Sequence, residues 1–297
     1  MTVIRNDAMK IDAMKIDAMK IDTMQLDTMR IEADFHVHLY PSYDLAQSLS
    51  SAYHNLQQRA SKTAAVRYVI GLAERKECDV FSTLASSPST LLPDPFALQQ
   101  KQPNVLLLQH PELGELTLVA GRQIVSIDRL EVLGIGLASI VADGLATDET
   151  IEQILAAGAL PVVNWAPGKW LGRRGKIVAE LITRYSTNGR TLLLGDTALR
   201  PVGWSEPRLM SRGASLGLPI IGGSDPLPFA GEEQRIGTFG TSFEINLLEQ
   251  REFEVDPWGV LRTALQTNGR VLTRRGERLS TVGLAYRWVR NEVSRRT

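Results

Sequence analysis

The chain is poor in the residues that many metal and redox sites use: it has one cysteine, Cys78, and four histidines in 297 residues. A single cysteine excludes an intrachain disulfide and any zinc or iron–sulfur site built on paired cysteines. No apolar run approaches the roughly 20 residues that a membrane span needs. The N-terminus also lacks the apolar stretch of a secretory signal. These absences predict a cytoplasmic protein that does not bind membranes.

The chain has no excess of charge of either sign, with 33 basic residues against 33 acidic ones. Proteins that grip nucleic acid phosphates usually carry surplus positive charge. The balance therefore argues against a nucleic acid partner. Hydrophobic residues make up 43% of the chain, enough for one large core or two ordinary ones. No linker rich in proline, glycine or serine divides the sequence, and its oligomeric state stays open.

Residues 7–31 repeat a pentapeptide of the type DAMKI five times. Five residues advance a helix by about 500°, so the methionines form no stripe, and an odd period alternates faces in a strand. The repeat suits neither structure. We therefore predict a low-complexity extension at residues 1–28 and a single domain at residues 29–297. An interaction arm is the alternative function of the extension.

After the repeat, short apolar runs alternate with helical segments. The predicted strands are Arg30–Val37, Val66–Ala73, Val105–Gln109, Leu116–Val125, Leu130–Gly136, Leu160–Asn164, Thr191–Leu194 and Pro219–Gly222. The predicted helices are Leu45–Ala60, Asp79–Ala85, Thr147–Ala157, Lys176–Tyr185, Arg208–Leu216 and Pro257–Thr267. Such alternation predicts an α/β fold with a largely parallel sheet or a (β/α) barrel. In these folds the functional groups sit at the carboxyl ends of the strands.

His36 and His38 end the first predicted strand. Alternate residues of a strand face the same side, so their imidazoles should lie side by side, as ligands for zinc, iron or manganese. Asp225 ends a late strand after a Gly-Gly-Ser approach that suits close packing. A hydrogen-bonded histidine pair without a metal is the alternative. His54 is predicted to lie on a helix surface.

Carboxylates are candidates for the remaining ligands, since no histidine follows His110. Asp44 and Glu74 follow the first and second predicted strands, and Asp196 follows a later one. Glu74 and Asp196 could equally cap the helices that come after them.

A basic segment follows the strand that ends at Asn164 and precedes a predicted helix. It holds Lys169, Arg173 and Arg174 between glycines, and could bind a phosphate or carboxylate. It lacks the Walker pattern of nucleotide-binding loops. A solvated basic loop is the alternative.

Several of these segments, in this order, resemble the polymerase-and-histidinol-phosphatase (PHP) family. The likeness covers most of residues 32–240 and rests on five stretches. They are Asp34-Phe-His36-Val-His38 with Tyr43-Asp44, Tyr68–Arg75, Val119–Gln123 with Arg129–Gly136, Thr150–Asn164, and Leu218–Asp225. The resemblance implies a distorted (β/α)7 TIM-like barrel with mostly parallel strands. It also implies hydrolysis of phosphoesters by up to three metal ions at the strand ends.

The departures from the family pattern are systematic. Arg75 and Asn164 stand where the family has histidines, and Gln123 stands where it has a bridging glutamate. Arg129 occupies the neighbourhood of another histidine, and none follows Asp225. The ligands implied by the resemblance are thus reduced to His36, His38 and Asp225, with Glu74, Asp44 or Asn164 as additions. We expect at most one divalent ion (zinc, manganese or iron), or none.

Two functions follow from this pattern. The first is a metal-dependent hydrolase of a phosphorylated small molecule, whose phosphate would contact Lys169, Arg173 and Arg174. The second is a catalytically degenerate barrel that binds an anion or a protein. In that case Arg75 and Asn164 would turn the former metal pocket towards anions and hydrogen-bonding groups. The sequence identifies neither the substrate nor a catalytic acid or base.

Overall fold

The computed structural model describes residues 28–60 and 65–294, which form an α/β fold with two mixed sheets. The strands are β1 (Thr28–Val37), β2 (Ala65–Leu72), β3 (Ala97–Lys101), β4 (Val105–His110), β5 (Gly114–Val119), β6 (Gly121–Val125), β7 (Glu131–Ile135), β8 (Leu160–Asn164), β9 (Leu193–Thr197), β10 (Ile220–Gly223), β11 (Phe239–Asn246) and β12 (Thr273–Gly276). The first sheet has the order β12-β11-β1-β2-β5-β4-β3. The second has the order β10-β9-β8-β7-β6.

The α-helices lie between or after these strands in the chain. They are α1 (Leu45–Arg59), α2 (Val80–Ser86), α3 (Pro88–Leu91), α4 (Thr147–Ala156), α5 (Gly172–Thr187), α6 (Arg208–Ser215), α7 (Leu247–Phe253), α8 (Pro257–Gln266) and α9 (Thr281–Ser294). Apolar side chains of α4, α5 and α6 share one buried cluster with the five-stranded sheet. Those of α7 and α8 share another with both sheets. Full burial of each large aliphatic side chain contributes roughly 1.5–3 kcal/mol.

The prediction of a TIM-like barrel with mostly parallel strands was wrong. Parallel ladders join β1 to β2, β2 to β5, β8 to β9 and β9 to β10, whereas the other ladders between the described strands are antiparallel. The reason is the length of the connections. A parallel crossover needs a dozen or more residues, but β4 and β5 are separated only by residues 111–113. β11, which the sequence did not predict, also pairs antiparallel with β1.

The predicted strand Leu116–Val125 is two strands, β5 and β6, in different sheets. The chain crosses between the sheets at Gly121. A Cβ atom there would lie 2.1 Å from the carbonyl oxygen of Leu72 and 2.9 Å from that of Gly134, so only glycine fits. A single parallel bridge between Glu74 and Arg122 joins the sheets beside this crossing. The two sheets therefore approach one another without closing into a barrel.

The helices were predicted more accurately than the sheet. α1, α2, α4, α6 and α8 begin and end within one residue of the predicted bounds, while α5 begins four residues earlier than predicted. The predicted extension lies outside the described residues except for Thr28, where β1 begins. Within the described ranges, no helix combines the length and the apolar character that crossing a bilayer requires.

Candidate metal centre

The histidine pair lies where β1 leaves the seven-stranded sheet. The pairing of β1 with β2 shifts register between Asp34 and Val37, so the ladder is irregular around His36. The freed backbone N–H of His36 donates to the Asp34 carboxylate at 3.1 Å. The Nε2 atoms of His36 and His38 lie 3.1 Å apart. The predicted side-by-side arrangement of the two imidazoles is thus present.

Asp225 approaches this pair from the other sheet, two residues after β10. Its backbone N–H donates to the carbonyl oxygen of His36 at 3.0 Å. The close approach depends on Gly223, because a Cβ atom there would lie 2.3 Å from the Cβ of His36. Asp225 itself has a φ of 52°, which few residues other than glycine adopt. Its Oδ1 lies 3.5 Å from each histidine Nε2.

Asp34 holds the two halves of the site together. Its carboxylate is fully buried and accepts hydrogen bonds from the N–H groups of His36, Ser224 and Gly237 and from the Ser224 hydroxyl. Burial raises the pKa of this carboxyl group above its ordinary value, and these hydrogen bonds oppose the rise. Asp34 thus fixes the ends of β1 and β10 and leaves Asp225 to face the histidines.

The cluster is almost closed to solvent, with exposed fractions of 2% for His36, 3% for His38 and 9% for Asp225. Burial lowers the pKa of His38, although its hydrogen bond to Asp225 opposes this. For Asp225, burial alone would raise the pKa. The charge of His36, the hydrogen bond to His38 and the charge of Lys169 together lower it. These directions favour a neutral His38 imidazole and an ionised Asp225 carboxylate, the protonation states in which the two groups bind metals.

The three side chains fit a divalent ion. Their ligand atoms all lie within 4.8 Å of one another. Three donors separated by 3.1, 3.5 and 3.5 Å lie on a circle of radius about 2 Å, close to the usual length of a zinc–nitrogen bond. The set of two imidazoles and one carboxylate suits zinc, iron or manganese. The two Nε2 atoms face each other and the Asp225 carboxylate. A shared cation would accept a lone pair from all three groups, whereas one proton is covalently bound to only one of them.

Gln123 also reaches the cluster, from β6. Its Oε1 lies 3.0 Å from the Nε2 of His36, so a neutral amide oxygen faces the same space as the three ligands. From the sequence, Gln123 was recognised only as a replacement for a glutamate. Its position next to Arg122, whose backbone bridges to the end of β2, explains the approach.

Two positive side chains flank the cluster. The ring of Tyr40 stacks on His38 with centroids 5.1 Å apart, and the charge of Arg75 adds to burial in lowering the pKa of His38. Lys169 forms an ion pair with Glu131 at 3.0 Å, and its charge contributes to the low pKa of Asp225. Both were predicted to bind anions. Both lie near enough to the cluster for their charges to lower the pKa of one of its residues.

Glu74 and Asp44, the other predicted ligands, are not part of the cluster. Glu74 is buried and accepts a hydrogen bond from the backbone N–H of Phe81 at 3.0 Å, in the first turn of α2. Asp44 is exposed and caps α1 by accepting from the N–H of Gln47 at 2.8 Å. Both residues therefore stabilise helix starts, the alternative that the sequence left open for Glu74.

We expect Glu74→Gln to stabilise the protein at high pH. Burial raises the pKa of Glu74 to about 7, and the hydrogen bond from Phe81 and the charge of Arg122 only partly offset this. Protonated Glu74 thus favours the fold fully below its ordinary pKa, and this contribution is lost as the pH rises through about 7. Between pH 5 and pH 8, the variant should gain on the order of 2 kcal/mol in free energy of unfolding relative to the wild type.

Urea denaturation at the two pH values measures this difference, and Glu77→Gln on the exposed part of the same loop is the control. Metal content should be unchanged in Glu74→Gln, because Glu74 hydrogen-bonds to the start of α2 and is not part of the histidine cluster. A difference that does not depend on pH would contradict the assignment.

The remaining predicted residues take other positions. Asn164 is buried at the end of β8, donates to the carbonyl oxygen of Trp165, and has no partner for its Oδ1 among the described residues. Asp196 is buried between Arg200 and Arg274. Arg173 and Arg174 line a separate cleft, to which none of the three clustered residues contributes.

The chain is similar to several solved structures. PsfC from Pseudomonas syringae PB-5123 matches with a TM-score of 0.52 at 15% identity, over 91% of this chain and 99% of that one. The lesion-specific endonuclease PfuEndoQ from Pyrococcus furiosus matches with a TM-score of 0.47 at 12% identity, over 84% of this chain and 59% of that one. An Endonuclease Q complex with a 27-mer duplex matches with a TM-score of 0.42 at 13% identity, over 82% of this chain and 58% of that one.

At this level of identity, the match to PsfC concerns the fold alone. The likeness extends over nearly the whole of both chains. No family model matches the chain, and no curated protein matches it.

Proposed function

We propose that this protein is a metal-dependent hydrolase of PHP type that acts on a phosphorylated small molecule. The observation that carries the proposal is the convergence of His36, His38 and Asp225, whose ligand atoms lie within 4.8 Å. One zinc, manganese or iron ion accounts for this donor set. A bound ion of this kind activates water and polarises a phosphoryl oxygen.

The chain's own residues contribute binding and orientation. Lys169 and Arg75 add positive charge beside the cluster, where a phosphate would be neutralised. Glu131 orients Lys169 through their ion pair. Asp34 fixes the strand ends that carry the ligands. Because the cluster is so little exposed, it suits the end of a small molecule better than the middle of a broad surface.

The first experiment measures metal content and hydrolysis together. Elemental mass spectrometry of tag-free protein should find about one ion per chain, as expected for three protein ligands. Chelated protein should lose hydrolysis of para-nitrophenyl phosphate and related phosphoesters, and adding zinc, manganese or iron should restore it. The matched control substrate is para-nitrophenyl acetate, which lacks the phosphate that Lys169 and Arg75 would hold.

The outcomes separate the two functions predicted from the sequence. Metal-dependent hydrolysis of a phosphoester supports the hydrolase. If the purified protein contains no metal and takes up none of the three ions, the proposal fails. Binding of phosphate compounds that survives chelation and is weakened by Lys169→Gln, beside the cluster, would instead favour the anion-binding module.

A further inference from the structure

A cleft of about 570 Å³ lies beside the start of α5. Its lining includes Ile127, Asp128, Arg129, Leu171, Arg173 and Arg174, and we call it the arginine cleft. The first three of these belong to the connection between β6 and β7, and the others to α5 or the residue before it. The cleft is thus formed by two segments that are distant in sequence.

The arginine cleft has more positive charge than its own carboxylate can balance. Three guanidinium groups line it, against the single carboxylate of Asp128. Asp128 already accepts a hydrogen bond from Thr147 at 3.0 Å, and its other oxygen lies 3.7 Å from Arg173. Arg174 donates to the backbone carbonyl of Gly168. Among the ion pairs between described residues, none includes Arg129 or Arg174.

The positive end of the α5 helix dipole adds to this excess. The first turn of α5 has no acidic residue, and no side chain caps its free N–H groups. Arg173 and Arg174 both lie in this turn. Cations at the positive end of a helix dipole repel it, so this arrangement is unfavourable without an anion. Two cationic side chains and the helix start thus act on the same space.

The backbone at Arg129 adopts a conformation that is unusual for arginine. Its φ is 60°, in the left-handed region that asparagine and glycine adopt more readily than arginine. What arginine adds at this position is a guanidinium group on the wall of the cleft.

We propose that the arginine cleft is a second anion site, which binds the phosphate group of a small organic phosphate without a metal. The phosphate would lie among Arg129, Arg173 and Arg174, where guanidinium groups can donate paired hydrogen bonds. The apolar part of the ligand would cover Ile127 and Leu171, which are 69% and 70% exposed. The site does not depend on the proposed hydrolase, because it shares no lining residue with the histidine cluster.

Calorimetric titration of the full chain with phenyl phosphate and inorganic phosphate, after chelator treatment, tests the proposal. Phenyl phosphate should bind more tightly than phosphate, because only it can contact the apolar lining. The double variant Arg129→Asn/Arg173→Gln should weaken binding of phenyl phosphate at least tenfold. Asparagine suits the positive φ and glutamine suits a helix, so both changes preserve the backbone.

Two controls distinguish this site from other sources of binding. Arg208→Gln removes an exposed arginine from the first turn of α6, outside the cleft, and should leave the affinity unchanged. His36→Ala/His38→Ala should also bind phenyl phosphate as the wild type does. Wild-type affinity in the arginine double variant would overturn the proposal. So would loss of binding in the histidine variant, which would assign the anion to the candidate metal centre.

Discussion

Replacement of both histidines, His36→Ala/His38→Ala, is expected to abolish metal binding. It removes two of three ligand atoms that lie on a circle of about 2 Å radius, so a single carboxylate remains. Altering only an outer-shell partner commonly costs 10–100-fold in affinity, and losing two ligands should cost more. The bound ion should fall from about one per chain to none, and phosphoester hydrolysis should fall with it.

The matched control is His54→Ala, because His54 is exposed on α1 and its ring hydrogen-bonds to the carbonyl oxygen of Ser50 in the same helix. That variant should retain the wild-type metal content. Circular dichroism and urea denaturation of the chelated proteins check that the double variant still folds. His38→Gln, a milder change, provides a second folded variant with weakened binding. Full metal content in the double variant would exclude His36 and His38 as ligands.

Asp34→Ala is expected to have the largest effect on stability. Its carboxylate accepts three backbone N–H groups and the Ser224 hydroxyl, all in a fully buried position. Each buried donor left without a partner costs about 1–3 kcal/mol. Some of these donors will find water or shift, so we expect a loss of about 4 kcal/mol in free energy of unfolding.

Urea denaturation at neutral pH measures this loss. Asp44→Ala is the control, since Asp44 is an exposed helix cap and its removal should cost only about 1 kcal/mol. Asp34→Asn tests the same point more gently, because an amide keeps the shape but turns one acceptor into a donor. A loss below ~1 kcal/mol for Asp34→Ala, within the range of ordinary surface substitutions, would show that Asp34 does not hold the strand ends.

The parts of the site that follow from local geometry were predictable from the sequence. His36 and His38 are two residues apart at a strand end, and the Gly-Gly-Ser segment permits the close packing that brings Asp225 to them. The irregular ladder at Asp34 was not predictable, since it depends on β2 and on the end of β10. Gln123 was missed as a neighbour of the cluster for the same reason: its position is set by the crossing at Gly121.

The sequence was least informative about where a polar side chain that follows a strand points. Glu74 follows β2 as a ligand would, yet its carboxylate accepts a hydrogen bond from Phe81 at the start of α2. Arg173 and Arg174 follow β8 in sequence, but they line the cleft formed with the β6–β7 connection. Alternation of strands and helices predicted an α/β fold but not strand direction, which depends on the short connections and on the pairing of β11 with β1.

The two histidines lie at the end of β1 in the seven-stranded sheet, and Asp225 follows a strand of the five-stranded sheet. A metal ion bound by all three residues would therefore hold the two sheets together. Occupancy would then be linked to folding. An ion present at 100 times its dissociation constant would add about 2.7 kcal/mol to the free energy of unfolding. It would also slow the exchange of amide hydrogens at the end of β10, where Asp225 donates to His36. The supply of the metal in the cell would in this way change the stability of the folded chain as well as its chemistry.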